Sequence, residues 1–232
     1  MNTSALIIGA SSGIGLEIAK VLSARGYRIG IAARRQQLLE QYAATHPNVV
    51  QFQAFDITSD DAVERFHEMS RALGTVDYVY IASGVGFINE SLDWGLEEIT
   101  IQTNALGFAK LSCAAMRIFE TQGHGHLVGI SSVAALRGAG EAPAYGASKA
   151  FVSRYLQALR MRAKRSGLPI YVTDIRPGFV DTAMMKAKSP FWISSPQKAA
   201  QQIVNCADKR RPISYLTKRW SVVGWLLKHL PE

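Results

Sequence analysis

Cysteine is scarce in this chain: Cys113 and Cys206 are the two among 232 residues, and they lie far apart in the sequence. Neither has the spacing of a metal ligand or a redox pair, so the sequence indicates neither a disulfide scaffold nor a cysteine metal cluster. His124 and His126 flank a glycine with no third ligand nearby, and they do not indicate a metal site either. We therefore expect a reducing, cytoplasmic setting and no bound metal.

Long apolar runs are missing as well. No stretch approaches the roughly eighteen apolar residues that a membrane-spanning helix requires. The first apolar run already begins at Ala5, which leaves no room for a signal peptide before it. Both observations favour a protein that stays in the cytoplasm.

Charge is unbalanced but not concentrated. The chain carries 26 basic and 18 acidic side chains, a formal net charge of +8. The basic residues are scattered apart from short groups such as 209–211, and aromatic residues do not alternate with them as a nucleic-acid platform would need. We expect no nucleic-acid partner, whereas an anionic small molecule or an acidic membrane surface would suit the excess.

What is present is a regular alternation of apolar runs and helical periodicity. The length suits a single α/β domain over residues 1–232. Strands joined by helices of ten or more residues imply right-handed crossovers and a parallel sheet covered on both faces. The predicted strands include 5–8, 27–33, 49–55, 76–82 and 125–131.

A glycine-rich turn follows the first strand, with Gly9, Gly13 and Gly15 around Ser11, Ser12 and Ile14. Helical periodicity begins directly after it, so the free N–H groups and the positive end of a helix dipole point at whatever lies over the turn. Glycines let a pyrophosphate approach the backbone closely. The pattern predicts a nucleotide site, although an ordinary strand-to-helix turn with glycines chosen for packing has the same features.

Two arginines, Arg34 and Arg35, follow the second strand at the start of a predicted helix. Cations at a helix N-terminus oppose its dipole, so local stability does not explain them. In dinucleotide folds an acidic residue at this strand end binds the ribose of NAD, whereas a basic residue accepts the 2′-phosphate of NADP. Ala33 stands where the acid would be, which favours NADP(H), the alternative being two solvated surface arginines.

Asp56 follows the third strand. Thr58 and Asp61 have the spacing of a capping box for the next helix, which would leave Asp56 free to hydrogen-bond an adenine amino group. A plain turn aspartate is the other interpretation.

Three polar positions lie later in the chain. Asn104 falls inside a predicted helix at 92–119, where it either marks a local bulge or lies on the outer face. Ser132 follows the fifth strand, at the edge where open α/β sheets bind ligands. Tyr145 and Lys149 are four residues apart on one helical face, so an ammonium could lower the pKa of a phenol, unless the two meet by chance on a solvated surface.

Taken together, the chain resembles the short-chain dehydrogenase/reductase family. The motifs that carry the resemblance are Gly9-x-x-x-Gly13-x-Gly15, Asn104, Ser132 and Tyr145-x-x-x-Lys149. Each is weak alone, but their order and separations together are specific, and the likeness extends to a last strand near 212–216. It implies a single Rossmann-like, doubly wound α/β domain with a seven-stranded parallel sheet flanked by helices.

The resemblance also implies roles for these residues. Asn104 would hold a water that links Lys149 to solvent, and Ser132 would hydrogen-bond the substrate oxygen. Tyr145 would be the general acid in reduction and the base in oxidation, while Lys149 would bind the nicotinamide ribose and assist Tyr145. Further cofactor contacts are expected at Ile57, Ala82, Gly84, Pro177, Gly178, Val180 and Thr182, of which Thr182 matches a position that commonly touches the carboxamide.

Two departures from the family put cofactor affinity in doubt. Position 8 is often threonine, and here it is Ile8. The Asn-Asn-Ala-Gly that follows the fourth strand in the family is Ile-Ala-Ser-Gly over 81–84 here. Family members usually form oligomers through two long helices, here about 92–119 and 145–166, so a homo-oligomer is expected by analogy.

The expected activity is NADP(H)-dependent hydride transfer between the nicotinamide and a carbonyl or secondary alcohol. Lys149 and the oxidised nicotinamide, both positive, would lower the pKa of Tyr145 toward the working pH. A substrate loop at about 179–195 carries Met184, Phe191 and Trp192, which suit either an apolar lid over a hydrophobic substrate or core packing.

The C-terminal tail, about 218–232, has two tryptophans and flanking cations, with its apolar residues mostly on one side of a predicted helix. It suits an interfacial membrane helix, or else a segment packed on its own domain or on a second subunit. Two other functions stay open: a catalytically silent NADP-binding regulator, and a membrane-surface protein that keeps the fold.

Overall fold

The structure, a computed structural model, describes residues 3–186, 191–217 and 219–229. Its centre is one seven-stranded sheet in which every neighbouring pair is parallel, in the order β3-β2-β1-β4-β5-β6-β7. The strands are β1 Ser4–Ile8, β2 Arg28–Ala33, β3 Val49–Ala54, β4 Tyr78–Ile81, β5 Gly125–Ile130, β6 Ile170–Pro177 and β7 Ile213–Leu216. The predicted parallel, doubly wound sheet is confirmed.

Helices connect the strands and cover both faces of the sheet. They are α1 Gly13–Ala24, α2 Gln36–Thr45, α3 Ala62–Leu73, α4 Trp94–Ile101, α5 Phe108–Gln122, α6 Pro143–Ser166, α7 Pro196–Asp208 and α8 Arg219–His229. The stretch predicted as one long helix is α4 and α5 joined by a π-helical segment, Gln102–Gly107. A short 3₁₀ turn, Val133–Leu136, follows β5.

Successive residues of β1 point to opposite faces of the sheet, as the period of a strand requires. Leu6 and Ile8 belong to the apolar layer that α3, α5 and α6 complete. Ala5 and Ile7 belong to the opposite layer, which α1, α2 and α7 complete. A strand buried on both faces must be apolar throughout, which is why its sequence shows no polar alternation.

The order of the strands fixes where a ligand can bind. From β1 the chain proceeds outward through β2 to β3, and then returns to β4 on the other side of β1. The connecting loops diverge at this point and leave a crevice beyond the carboxyl ends of β1 and β4. Every predicted site residue follows the end of a strand or lies on a helix that faces this edge.

The C-terminal helix corrects one expectation. Trp220 is buried at 3% exposure, and Gly224 packs against Tyr215 and Leu136, so α8 lies against its own sheet. On the opposite side of the helix, Val222 and Trp225 are 60% and 61% exposed. Apolar residues therefore occupy both sides of the helix and not one, because the domain takes up only one of its faces. Residues 218 and 230–232 of the predicted tail lie outside the described residues.

None of the helices in the described ranges is both long enough and apolar enough to cross a membrane.

Candidate active site

The glycine turn joins β1 to α1 at the crevice. The backbone N–H groups of Gly9 and Ala10 both donate to the carbonyl of Ala32, at 2.7 and 3.0 Å, which ties the turn to β2. Gly15 lies directly on the carbonyl of Gly9, and a Cβ there would collide with it. The Ser12 side chain does not cap α1, whose first turn carries no acidic residue. The N–H groups of that turn are therefore available to an anion, so the site fits a phosphate.

The Arg35 side chain extends over the glycine turn and contacts it. Its Nη2 donates to the hydroxyl oxygens of Ser11 and Ser12, at 2.8 and 2.6 Å. Arg34 extends from the same strand end with its side chain 64% exposed. The two guanidinium groups make the end of β2 positive beside the glycine turn, which suits an anionic ligand.

One carboxylate oxygen of Asp56 is already hydrogen-bonded within its own turn, contrary to what the sequence suggested. The prediction that Thr58 caps the next helix is wrong, because α3 begins at Ala62 after Asp61. Thr58 instead donates from its backbone N–H and its hydroxyl to Asp56 Oδ1, at 2.9 and 2.8 Å. The other carboxylate oxygen lies 3.7 Å from Arg34 Nη1. Thr58 thus holds one carboxylate oxygen of Asp56, while the other lies near Arg34.

The segment after β6 closes the other side of the crevice. Thr182 reaches the glycine turn. If Gly13 carried a Cβ atom, that atom would lie 3.3 Å from the Cγ2 methyl of Thr182. Val180 is buried and pairs with Ser194 across the two ends of the loop. Gly178 packs directly on the indole of Trp220, which leaves no room for a side chain. The predicted contacts at 177–182 therefore line the same edge as the glycine turn.

Ser132 and Tyr145 face each other across the crevice. Ser132 Oγ accepts from the Ala134 N–H at 3.1 Å and lies 3.5 Å from the carbonyl oxygen of Pro177. Burial raises the pKa of the Tyr145 phenol above its usual value, and a hydrogen bond with Ser132 partly lowers it. Two hydroxyl groups therefore point at the same place, where a substrate oxygen could bind both.

Lys149 is buried one helical turn beyond Tyr145. Its Nζ donates to the carbonyl of Ile130 at 3.0 Å and lies 5.8 Å from the centroid of the Tyr145 ring. Burial lowers the pKa of Lys149 to about 8, and the charge of Asp174 acts in the opposite direction. The interpretation of Lys149 as a residue on a solvated helix face is wrong, since it is 4% exposed.

The expected depression of the Tyr145 pKa is not produced by the described residues. The ammonium of Lys149 donates to the carbonyl of Ile130 and lies 5.8 Å from the centroid of the Tyr145 ring, and the groups that act on the phenol do not include it. Desolvation of the phenolate is the larger effect, and the pKa of Tyr145 is raised.

Asn104 lies in the π-helical segment and is 1% exposed, so the bulge interpretation is confirmed and the outer-face interpretation is wrong. Its amide nitrogen donates to the carbonyl of Val85 at 2.8 Å and to Ser148 Oγ at 3.1 Å. Its amide oxygen accepts from the Val85 N–H at 2.8 Å. A Cβ on Gly84 would lie 3.2 Å from Asn104 and 3.3 Å from Lys149, so this glycine sits between the two side chains.

Two predicted cofactor residues can offer little beyond their backbone. Ile57 is 5% exposed, and its side chain packs against Gly107 of the π-helical segment. The Ala82 N–H already donates to the carbonyl of Ile8 at 2.8 Å. The structure brings both to the carboxyl edge of the sheet, with Ile57 turned into the core.

Sequence reasoning missed a role for Gly86 and for a buried ion pair beside this centre. Gly86 lies against the Tyr145 ring, and Met184 of the predicted substrate loop lies against Gly86. Asp174 and Arg176 form a buried ion pair behind the centre, at 2.8 Å. An aspartate and an arginine inside an otherwise apolar strand were the available signal for the ion pair, because charges in a buried strand require partners.

Comparisons with known proteins agree with this geometry. Residues 3–191 match the family model described as short chain dehydrogenase. An uncharacterized oxidoreductase of Myxococcus xanthus is 36% identical over 187 residues, covering 78% of this chain and 73% of the relative. An uncharacterized oxidoreductase of Mycobacterium tuberculosis is 30% identical over 217 residues, covering 89% of this chain and 85% of the relative. The chain belongs to the short-chain dehydrogenase/reductase family and is an oxidoreductase, in a family that binds a nicotinamide cofactor.

A solved structure shows the same fold. The crystal structure of a variant of the actinorhodin polyketide ketoreductase with NADPH superposes with a TM-score of 0.76 at 24% identity. The match covers 88% of this chain and 89% of the ketoreductase.

Proposed function

We propose that this protein is an NADP(H)-dependent oxidoreductase that transfers a hydride between the nicotinamide and a carbonyl or secondary alcohol, acting as one catalytic domain. The observation that carries the proposal is the meeting of the Ser132 hydroxyl and the Tyr145 phenol beside the buried ammonium of Lys149. All three face the sheet edge that also carries the glycine turn. A site that only bound a nucleotide would not need this combination.

The side chains divide the work as follows. Tyr145 protonates the substrate oxygen in reduction and removes the proton in oxidation, and its raised pKa keeps it protonated for the reductive direction. Ser132 donates a second hydrogen bond to the same oxygen as negative charge develops there. Lys149 supplies positive charge beside Tyr145 and binds the ribose. The cofactor, when bound, supplies or accepts the hydride.

Asn104 supports this centre from behind. Its side chain fixes the Val85 backbone after β4, and the π-helical segment frees local carbonyl groups. We propose that it holds the water that links Lys149 to solvent.

Selection of NADP(H) over NAD(H) rests on the end of β2. Arg34 and Arg35 are positive, and the Arg34 side chain is 64% exposed. Asp56 holds Arg34 on one side, and Ser11 and Ser12 hold Arg35 on the other. Arg34 and Arg35 would hold the 2′-phosphate of NADP(H) by charge-assisted hydrogen bonds.

The described part of the substrate loop carries apolar side chains. Met184 lies against Gly86 next to the Tyr145 ring, and Phe191 stacks on Trp220 at a centroid distance of 5.1 Å. These side chains favour a hydrophobic ketone or alcohol over a sugar or an acid.

The test is direct. Purified protein is incubated with NADPH or NADH and a panel of aliphatic, aromatic and polar ketones and alcohols, and absorbance of the reduced nicotinamide is followed. We expect turnover with NADPH and apolar carbonyl compounds and much slower turnover with NADH. Tight NADPH binding without turnover on any compound would contradict the proposal.

We also propose that the protein contacts membrane surfaces through the outer side of α8. Val222, Trp225 and Leu226 are exposed there, and the Arg219 guanidinium lies 5.7 Å from the Trp192 ring at the end of the substrate loop. Aromatic and aliphatic side chains next to a cation suit the interface of an anionic bilayer. Co-sedimentation with anionic vesicles should fall in Val222→Glu/Leu226→Glu, and equal sedimentation of variant and wild type would contradict the contact.

A homo-oligomer is proposed by analogy with the family. Leu106 and Phe151 are exposed at 62% and 41%, one in the π-helical segment and the other on α6. These are the helices through which family members associate. Light scattering should give a dimer or tetramer, and Phe151→Glu should shift the protein to the monomer, whereas a monomeric wild type would contradict the proposal.

A further inference from the structure

A buried polar cluster lies behind the candidate active site, between β5, β6 and α6. Its centre is Asp174, which is 1% exposed. The carboxylate accepts hydrogen bonds from Arg176 Nε and Ser153 Oγ, each at 2.8 Å, and from the hydroxyl of Ser131. A buried carboxylate costs stability unless such partners surround it, and an apolar residue would fit a strand interior more cheaply.

The cluster is joined to the centre through the backbone of β5. Ser131 immediately precedes Ser132, and its N–H donates to the carbonyl of Ile175 at 2.8 Å while its hydroxyl reaches Asp174. Ser131 is therefore held to β6 by both its backbone and its side chain. Ser132 is the next residue in the chain. The position of its hydroxyl relative to Tyr145 therefore depends on the hydrogen bonds that attach Ser131 to β6.

The same carboxylate acts on Lys149. The Lys149 ammonium donates to the carbonyl of Ile130, the residue before Ser131, and Ile130 pairs with Ile175, the residue after Asp174. The negative charge of Asp174 raises the pKa of Lys149, against the larger lowering by burial to about 8. On α6, the uncharged Tyr145 ring lies 5.8 Å from the Lys149 ammonium.

Other charges facing Asp174 are cationic. Arg176 on β6 pairs with it directly and also donates to the phenol of Tyr215 on β7, at 3.0 Å. Arg160 on α6 lies within range of its charge, and the guanidinium donates to the carbonyl of Val172 at 3.0 Å. The charge of Asp174 is thus shared between the arginines and the lysine.

We propose that Asp174 is a positioning residue for the reaction: through Ser131 it fixes the end of β5 that carries Ser132. The same carboxylate also acts on Lys149. This inference rests on the proposed function for its effect on turnover. Its effect on Lys149 does not depend on turnover and can be measured in the protein alone.

The first experiment follows the pKa of Lys149 by NMR of protein labelled with ¹³C-lysine, with the resonance assigned by its loss in Lys149→Met. In Asp174→Asn the titration midpoint should fall below that of the wild type, because an opposing charge has been removed. Ser153→Ala, which removes a different partner of the same carboxylate, should leave the midpoint unchanged. If Asp174→Asn does not fold, Asp174→Asn/Arg176→Gln removes the buried pair together and should show a smaller fall, because loss of the Arg176 cation offsets part of the loss of the carboxylate.

The second experiment separates the effect of Asp174 on the position of Ser132 from the effect of its charge on Lys149. Ser131→Ala should lower kcat about tenfold at an unchanged NADPH Kd and an unchanged Lys149 midpoint, because the Ser132 hydroxyl is less well placed. Ser153→Ala should keep kcat within about twofold. A purely structural cluster would instead destabilise both variants without separating their kcat values.

The outcomes distinguish the two proposals. An unmoved Lys149 midpoint in the Asp174 variants, or equal kcat in Ser131→Ala and wild type, overturns the positioning role. A wild type without any turnover overturns the proposed function, while a shifted Lys149 midpoint in the same protein would still support the charge effect.

Discussion

The two halves of the carboxyl edge of the sheet differ in the exposure of their charged side chains. At the end of β2, Arg34 carries its charge in solvent with a loose 3.7 Å contact to Asp56. At the ends of β5 and β6, Lys149 and Asp174 are 4% and 1% exposed and are held by short hydrogen bonds. One half keeps its cations hydrated, and the other removes its charges from water.

The difference matches the work that we propose for each half. An exposed cation costs little stability and contributes to choosing and attracting an anionic ligand, although salt screens it. A buried charge costs stability and has a displaced pKa, and such groups gather where protons move. The predictions below test this division, from the largest expected effect to the smallest.

Replacing Tyr145 by phenylalanine should have the largest effect. The variant loses the group that exchanges a proton with the substrate oxygen, so kcat should fall about 10³-fold while NADPH still binds. Tyr155→Phe is the matched control, since this tyrosine lies on the same helix and bonds Cys113 outside the crevice. Stopped-flow turnover and NADPH fluorescence measure the two quantities, and near-normal turnover in Tyr145→Phe would remove Tyr145 from the mechanism.

Lys149→Met should lower kcat about 10²-fold and yet stabilise the fold. Folding lowers the pKa of Lys149 from 10.5 to about 8, so the folded chain holds this proton less tightly than the unfolded chain. Burying the charged Lys149 therefore costs folding stability. This cost is fully present below about pH 8 and disappears as the pH rises toward the ordinary lysine pKa of 10.5. At pH 7 the variant should gain up to about 3 kcal/mol in the free energy of unfolding.

Urea denaturation at several pH values measures this gain. The control is Lys164→Met, on the exposed face of α6, which should change neither kcat nor stability by much. A Lys149→Met protein less stable than wild type at pH 7 would mean that the ammonium is better solvated than its burial indicates.

Arg34→Ala/Arg35→Ala should weaken NADPH binding by about tenfold or more and leave NADH binding unchanged, since charge-assisted hydrogen bonds to a 2′-phosphate are lost. Isothermal titration calorimetry measures both constants, and Arg71→Ala on α3 is the control. An equal loss for the two cofactors would place the arginines on the pyrophosphate and remove the basis for NADP selection.

Salt should produce the smallest effect. Raising the ionic strength from about 0.05 to about 0.5 M should weaken NADPH binding several-fold, because exposed charges are screened. The NMR midpoint of Lys149 should barely move over the same range, because its partners are buried. Equal sensitivity in both measurements would show that the two halves do not differ in the way described.

Much of this molecule follows from local patterns. The apolar runs predict the strands, because a strand buried on both faces must be apolar along its length. The spacing of Tyr145 and Lys149 places them on one side of α6, because a helix repeats every 3.6 residues. The glycine turn is also readable, because the contact of Gly15 with the Gly9 carbonyl lies within one short turn.

Other features depend on residues that are distant in sequence. The capping box at Thr58 was wrong because the Thr58 hydroxyl bonds Asp56 and α3 begins only after Asp61. Asp56 also lies 3.7 Å from Arg34 at the end of another strand, a contact that no local pattern reveals. The amphipathic tail was wrong because the face that α8 buries is set by Gly178 and Tyr215, which no local pattern reveals.

The sequence by itself determined the order of strands and helices, the parallel sheet and the residues that gather at its carboxyl edge, since these depend on periodicity and on chain direction. Only the tertiary structure decided how those residues behave. The pKa values of Tyr145 and Lys149 are set by the water that packing excludes, and that of Lys149 also by the charge of Asp174, which β6 brings beside β5. Desolvation and charge pairing act across space, so they exist only once the strands have assembled.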